Sequence, residues 1–359
     1  MCRPDDLEGF AIEKKSVDAR DKRDIRMVYR VRFSLEKHPK KHFKDLHALA
    51  GDPRWVLPAR MRHFASPPVI VGAGPAGLFA ALALAEAGAK PILLERGDPV
   101  EKRRDKVAAF MKGGPLDPDS NIQFGEGGAG TWSDGKLTTQ VKDRDGRRGK
   151  VLDELIRAGA PQEIAWLAKP HLGPDRLEGI VRGLRERIEE LGGTVHFRAK
   201  VTDIIMSGQR LSGLVLEDGR TIDCEAAILA PGHSARELFA VLDRHAIAME
   251  AKPFAIGLRV ERPQELISRN QYGESWTHPA LGPAEYRLAA KGALPVQRFE
   301  DFLLDRASSA LGKIQPDASG PWALANLVPC LPATVSRAIG EGMSQFKRQI
   351  DGYAGKDAS

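Results

Sequence analysis

An α/β fold on a parallel sheet is predicted by three observations: a short apolar run between prolines and glycines, a spaced glycine triplet, and an acid about twenty positions further on. Pro67 and Pro68 exclude helix just before Val69 to Val71, and a run this short bounded by Pro and Gly suits a strand buried on both faces. Gly72, Gly74 and Gly77 follow, within Gly72-Ala73-Gly74-Pro75-Ala76-Gly77. The first allows a tight turn, the second lets backbone approach a pyrophosphate, and the third lets a helix pack closely on the strand. Pro75 sits where a missing N–H costs nothing, and the free N–H groups of the helix start form an anion site.

The helix carries Leu78, Ala81, Leu82 and Ala85 on one face and ends at Gly88. A second strand, Pro91 to Leu94, delivers Glu95 at the offset where an Asp or Glu meets a ribose hydroxyl. An acid there disfavours a 2′-phosphate, so the expected ligand is FAD or NAD before NADP. A structural βαβ unit without ligand is the plainer alternative.

At 359 residues the chain has room for two or three domains, and 42% hydrophobic with 28% charged residues is ordinary for a globular protein. No apolar run reaches the length of a membrane span, and the polar opening is no signal peptide, so the cytoplasm is the expected location. Cys2, Cys224 and Cys330 stand far apart, without metal-ligand spacing, and no metal site is expected. The net charge of +6 is localised: residues 1–62 hold 16 Lys and Arg against 10 Asp and Glu.

Phe10 to Lys15 and Asp24 to Phe33 read as strands joined by the charged turn Val17 to Arg23. Ile25, Met27, Tyr29, Val31 and Phe33 alternate with Arg26, Arg30 and Arg32, which share a face. A basic strand face could hold nucleic acid, but one solvated side of a small sheet explains the pattern, and no aromatic stacking motif accompanies it. Nucleic acid is therefore not an expected partner. After the basic run Lys37 to His42, residues Gly51 to Pro68, with four prolines, read as a linker.

Beyond Glu95, Val100 to Phe110 is a basic helical piece. The stretch Phe124 to Leu137 then carries Gly125, Gly127, Gly128, Gly130 and Gly135, a density that excludes a helix interior and suggests backbone kept bare for a close ligand. A flexible surface loop is the alternative. An amphipathic helix over Asp175 to Leu191 leads into four strands, Thr194 to Arg198, Val201 to Met206, Leu211 to Leu216 and Arg220 to Asp223, read together as a β-meander. Ala226 to Ala230 is a buried strand breaking at Pro231-Gly232-His233-Ser234, the kind of strand end where doubly wound folds place a ligand crevice. His233 invites a catalytic reading and equally a packing or helix-start one.

With these residues in view, the chain resembles bacterial FAD-dependent dehydrogenases of the glutathione-reductase-like flavoprotein superfamily. The motifs that carry the resemblance are Val17-Asp18-Ala19-Arg20 to Tyr29, the glycine turn, Leu93-Leu94-Glu95-Arg96-Gly97, Ser120 to Leu137, and Ala230-Pro231-Gly232-His233-Ser234-Ala235-Arg236. The resemblance implies FAD as cofactor, held through Gly72, Ala73, Gly74, Pro75, Ala76, Gly77 and Arg96, with Glu95 at the adenosine ribose and Val201 at the adenine through its backbone. It further implies a flavin neighbourhood of Gly125, Gly127, Gly128, Ala129, Gly130, Thr131 and Lys136, with Gly232 beside the cofactor. NAD(P)H as reductant and an unidentified small-molecule substrate follow from the same likeness; no catalytic residue is assigned.

Family members carry more in the second half. Here Glu285 to Leu288 passes almost directly into Gln297 to Leu303, as though an internal block were absent, and no second glycine-rich segment follows Cys330-Leu331-Pro332 and the expected helix Thr334 to Ile350. The expected architecture is a basic N-terminal α+β domain and linker (1–64), an FAD-binding Rossmann-like domain with a β-meander (65–240) and a partial substrate domain (241–359). A non-catalytic nucleotide-binding remnant and an NAD-dependent dehydrogenase are the alternative readings.

Overall fold

The computed structural model describes residues 7–35, 44–48, 55–56, 64–133, 135–137, 139, 143–250, 264–284, 294–310, 322–330, 336–337 and 339–341. Two compact units divide it, Met1–Met249 and Glu250–Ser359. The basic run 37–42, most of the linker and most of the expected helix 334–350 lie outside the described residues.

In the first unit, β1 (Leu7–Asp18) and β2 (Arg26–Leu35) form an antiparallel hairpin that pairs Lys14 with Arg30 and Asp18 with Arg26. β1 runs longer than the sequence pattern suggests, and β2 keeps the expected length but begins and ends two residues later. The outer edge of β1 is taken by residues 166–168, through Lys15 N–H to Trp166 O (2.7 Å) and Ala168 N–H to Lys15 O (2.9 Å).

The central sheet holds β3 (Val69–Val71), β4 (Ile92–Leu94), β5 (Thr194–His196) and β9 (Ala227–Leu229) in the order β5-β4-β3-β9, all parallel. The registers are flush: Val71 sits opposite Leu94 and Leu229, and Leu94 opposite His196, so the strands end level at one rim. Alternation splits the core in two. Ile70 and Leu93 point to the layer of α1 (Pro75–Glu86), α3 (Arg147–Arg157) and α4 (Pro174–Glu190), where Leu78, Leu82, Leu152, Leu155, Ile180 and Ile188 are buried. Val69, Val71 and Leu94 point the other way, onto the antiparallel layer β6 (Val201–Ser207), β7 (Arg210–Leu216) and β8 (Thr221–Asp223) with α5 (Arg236–Arg244). Each fully buried aliphatic side chain in these layers contributes about 1.5–3 kcal/mol relative to exposure. α2 (Val100–Met111) packs beside α4.

One strand differs from expectation. Thr194 to His196 leaves the meander and joins the parallel sheet beside β4, with Thr194 N–H bonding Pro91 O at 2.9 Å. The cause is the preceding helix: α4 is a crossover that returns the chain to the sheet edge, and a helix between two strands favours parallel pairing over a hairpin. The meander is thus β6 to β8 alone. A second difference lies in the glycine-rich stretch, where Gly128–Trp132 forms one short 3₁₀ turn, a conformation brief enough to tolerate glycines.

The second unit holds α6 (Gln264–Tyr272), β10 (Leu294–Val296) parallel to β11 (Trp322–Leu324), and α7 (Phe299–Leu303). Gln297 ties it together, donating to Arg306 O (2.7 Å) and accepting from Leu327 N–H (2.8 Å).

Among the described residues no helix is long and apolar enough to cross a membrane. A Cβ on Gly77 would lie 1.8 Å from the carbonyl oxygen of Gly72, so helix and strand can approach this closely only with glycine there. Gly77→Ala is expected to lower stability by about 1–3 kcal/mol or more through forced separation of α1 and β3, read as a fall in the urea midpoint; an unchanged midpoint would contradict this packing.

Candidate functional site

A cleft of ≈ 250 Å³ opens at the rim where β3, β4 and β9 end. Crevices outside the carboxyl ends of parallel strands are where such folds bind ligands. Its wall contains Gly72, Gly74, Pro75 and Ala76 from the turn, Glu95 and Arg96 after β4, Gly125, Gly128 and Ala129 from the glycine-rich stretch, Val201 at the start of β6, and Gly232 beyond β9. These residues are distant in sequence, and the fold brings them together. Ala73, Gly77, Gly127, Gly130, Thr131 and Lys136 do not line it. Ala73 and Thr131 are buried beside it, and exposed Lys136 pairs instead with His171 in an isolated bridge.

The glycines divide by purpose. Gly72, at φ +102°, has no room for a side chain, since a Cβ would lie 2.4 Å from Ala230 O. Gly125 and Gly127, at φ +115° and +81°, would drive a Cβ into Arg103 and Thr131 respectively. Their bareness serves the protein's own packing, where the sequence suggested room for a ligand. Gly74 is different. Its Cβ would meet nothing nearer than Gly128 Cα at 4.0 Å, and its φ of −72° suits any residue. Packing does not require glycine there; a ligand approaching the backbone would.

Gly74 caps α1, and Leu78 N–H to Gly74 O (2.9 Å) is the first bond within the helix. The N–H groups of Ala76 and Gly77 therefore have no acceptor inside α1, and with the positive end of the helix dipole they suit a phosphate.

The Glu95 carboxylate is buried at the centre of this wall. One oxygen accepts Ala73 N–H (2.7 Å), and the other accepts Gly97 N–H (2.9 Å) and Gly125 N–H (3.0 Å). A carboxylate offers about four lone-pair directions, so one is left for a hydroxyl in the cleft. Arg96 borders the same wall: its guanidinium lies 3.9 Å from the centre of the Phe124 ring, its Nε donates to Asp119 (3.0 Å), and its Nη1 donates to Glu237. Asp119 also holds Lys200 at 3.2 Å, so the cleft's cations are clamped by acids. His233 is exposed at the rim, 3.3 Å from Ser234 Oγ.

Behind the wall lies a residue the sequence did not disclose. Arg103 on α2 is fully buried, donating from Nε to Asn121 O (2.8 Å), from Nη2 to Ile122 O (2.9 Å) and from Nη1 to Glu126 O (2.6 Å). Burial draws its guanidinium down to about 10, against the pull of Glu95 and Glu126, and it stays charged at neutral pH. One side chain thereby holds the course of the glycine-rich stretch. Between Lys102 and Arg104 it looks like one more surface base, and no sequence signal separates it.

Two acids below the cleft titrate in opposite senses. Burial would raise Asp98, but hydrogen bonds from Arg198, Lys106 and Ser120 outweigh it and hold the carboxyl at about 2. Its contribution to stability is present above its unfolded value of 3.8 and is lost as pH falls toward 2. Burial pushes Glu126 up to about 7 despite the Val100 N–H and Arg185, and its Oε1 has no hydrogen-bond partner.

Residues 67–238 match the family model described as pyridine nucleotide-disulphide oxidoreductase, and residues 253–293 and 289–359 match the FAD-dependent protein, C-terminal domain-like model. An uncharacterized protein of Clostridium beijerinckii is 37% identical over 441 residues, covering 99% of this chain and 82% of that protein. The chain belongs to the FAD-dependent oxidoreductases. FAD is accordingly the cofactor of this oxidoreductase. The 441 aligned positions exceed its 359 residues, so the Clostridium protein carries residues within the aligned span that this oxidoreductase lacks. The two pieces of the C-terminal match meet at 289–293, between Leu288 and Gln297, where the internal block was expected to be absent. The thiamine thiazole synthase of Aeropyrum pernix is 28% identical over 156 residues, 43% of this chain and 45% of that enzyme. Among solved structures, Thermovibrio ammonificans THI4 superposes with a TM-score of 0.35 at 20% identity, covering 51% of this chain and 63% of that one. The GidA-related protein of Thermus thermophilus gives 0.28 at 18% identity, covering 47% and 53%.

Glu126 binds its proton more tightly folded than unfolded, where its value is 4.5, so its effect on stability worsens as pH rises from about 4.5 to about 7 and then levels. Glu126→Gln removes that dependence. The melting temperature of the variant relative to the parent is expected to be more favourable at pH 8 than at pH 5; a difference independent of pH would show that burial does not raise this acid.

Proposed function

We propose that the chain is a flavin-dependent dehydrogenase that moves reducing equivalents between NAD(P)H and a small-molecule substrate, with FAD lying along the cleft described above. The observation that carries the reading is Gly74, bare toward the cleft at the start of α1 where the fold itself makes no demand for glycine.

In this reading the pyrophosphate rests at the start of α1 on the N–H group of Ala76, and the adenosine ribose meets the remaining lone pair of Glu95. The adenine lies by the backbone of Val201, with the Arg96–Phe124 stack as its side wall. The backbone of Gly125, Gly128, Ala129 and Gly232 borders the rest of the cofactor. Bound FAD supplies the hydride or electron transfer; the chain supplies binding, orientation and exclusion of water. Arg96, clamped between Asp119 and Glu237, presents a fixed planar wall and spends no conformational freedom on binding. The pyridine nucleotide enters through the matched family, the pyridine nucleotide-disulphide oxidoreductases. A cytoplasmic location belongs to the same proposal, resting on cysteines too sparse for a disulfide framework.

Substituting Glu95 would strand three buried N–H groups along with any ribose contact, so Gly74 is the cleaner lever. Gly74→Ala is expected to melt like the parent without cofactor, yet to bind FAD at least about tenfold more weakly, the equivalent of about 1.4 kcal/mol, in a fluorescence-quenching titration. Equal FAD affinities in the two proteins would remove the pyrophosphate from this turn and the proposal with it.

A further inference from the structure

A second cavity, of ≈ 400 Å³ and sharing no residue with the cleft, lies between the β1–β2 hairpin, the loop leading into α3 and the 165–168 segment. We propose that it binds a small phosphorylated anion.

The hairpin register places Lys14 directly opposite Arg30, and both line the cavity together with Arg148 of α3. Like charges opposite one another on a sheet are destabilising, and a sheet that retains such a pair with a third cation close by is relieved by a bound anion. Neighbouring arginines have carboxylates: Arg26 pairs with Asp24, Arg32 with Glu13 at 3.9 Å, and Arg147 with Asp145 at 2.9 Å. Among the described residues, Lys14, Arg30 and Arg148 have no such partner. The cavity's own acids are already engaged, Glu13 with Arg32, and Asp143 with the N–H groups of Arg147 (3.0 Å) and Arg148 (2.7 Å) at the start of α3.

The remaining wall is largely apolar and includes Trp166, held by the backbone bonds between Lys15 and residues 166–168. Three cations lining one cavity with an indole suit a phosphate carried on a planar or apolar body, and the volume lies within the usual range for small-molecule sites. The hairpin thus acquires a use that the solvated-face reading of its arginines left out.

Pyrophosphate and ADP, titrated calorimetrically into the FAD-saturated full chain at low salt, test the proposal. One saturable site is expected, weakening steeply with salt and by about tenfold or more in each of Arg30→Gln and Arg148→Gln. Pyrophosphate should raise the melting temperature of the parent, and Lys14→Gln should abolish that rise. Tighter binding of ADP than of pyrophosphate would assign the adenine to Trp166, whereas equal binding would assign the phosphate alone. The proposal fails if the parent shows no saturable site, if titration displaces the flavin absorbance, or if the two arginine variants, melting like the parent, bind pyrophosphate with its affinity.

Discussion

The buried carboxylate of Glu95 accepts N–H groups from three separate segments: the turn after β3, the exit of β4, and the start of the glycine-rich stretch. Each of those donors would be costly to leave unpaired in a buried site, and hydrogen bonds to an ionised acceptor are the stronger kind. The shape of the cleft follows from this convergence. Gly127 N–H to Ala73 O (2.8 Å) and Ala199 N–H to Glu95 O (2.9 Å) extend the same junction to the 3₁₀ turn and to the entry of the meander. The residue that sequence spacing offers as a ligand for ribose is also the one that assembles the binding wall.

Arg103 complements it from beneath. Glu95 gathers donors, and Arg103 gathers the acceptors of the same stretch, the carbonyls of Asn121, Ile122 and Glu126. A loop rich in glycine has a large conformational entropy to lose, and two buried, oppositely charged side chains offset that loss with directional bonds. The glycines at 125 and 127 make this possible by leaving room for Arg103 and Thr131.

What could be read from the amino-acid sequence was what rests on local rules. The run Val69 to Val71, the turn to Gly77, the helix to Gly88 and the acid at 95 are near neighbours whose spacing states their geometry, and the strand break after Ala230 carries its own Pro-Gly mark. Reading failed where distant segments decide. Thr194 to His196 follows Gly192-Gly193 and leads into the strands of the meander, so it looks like one of them, yet its partner is Ile92 to Leu94, about a hundred residues earlier. Arg103 is indistinguishable from Arg104 until the loop closes over it. Arg30 reads as part of one solvated face with Arg26 and Arg32 until the hairpin register sets Lys14 opposite it and the 165–168 segment, far along the chain, closes a cavity beside them.

Gly72 packs against Ala230, and β3 takes β9 as a neighbour, although residues 69–71 and 227–229 lie at opposite ends of the stretch 67–238. This contact imposes an order on biogenesis. A chain emerging from the ribosome presents the turn at Gly72 long before its packing partner exists, so the turn and its helix wait, with apolar strands exposed, until the meander and β9 have been made. Pairing at such separation is slow and leaves unpaired edges open to other chains. The glycine-rich turn, the earliest recognisable part of the site in the sequence, thus cannot reach its final packing before Ala230 has been made.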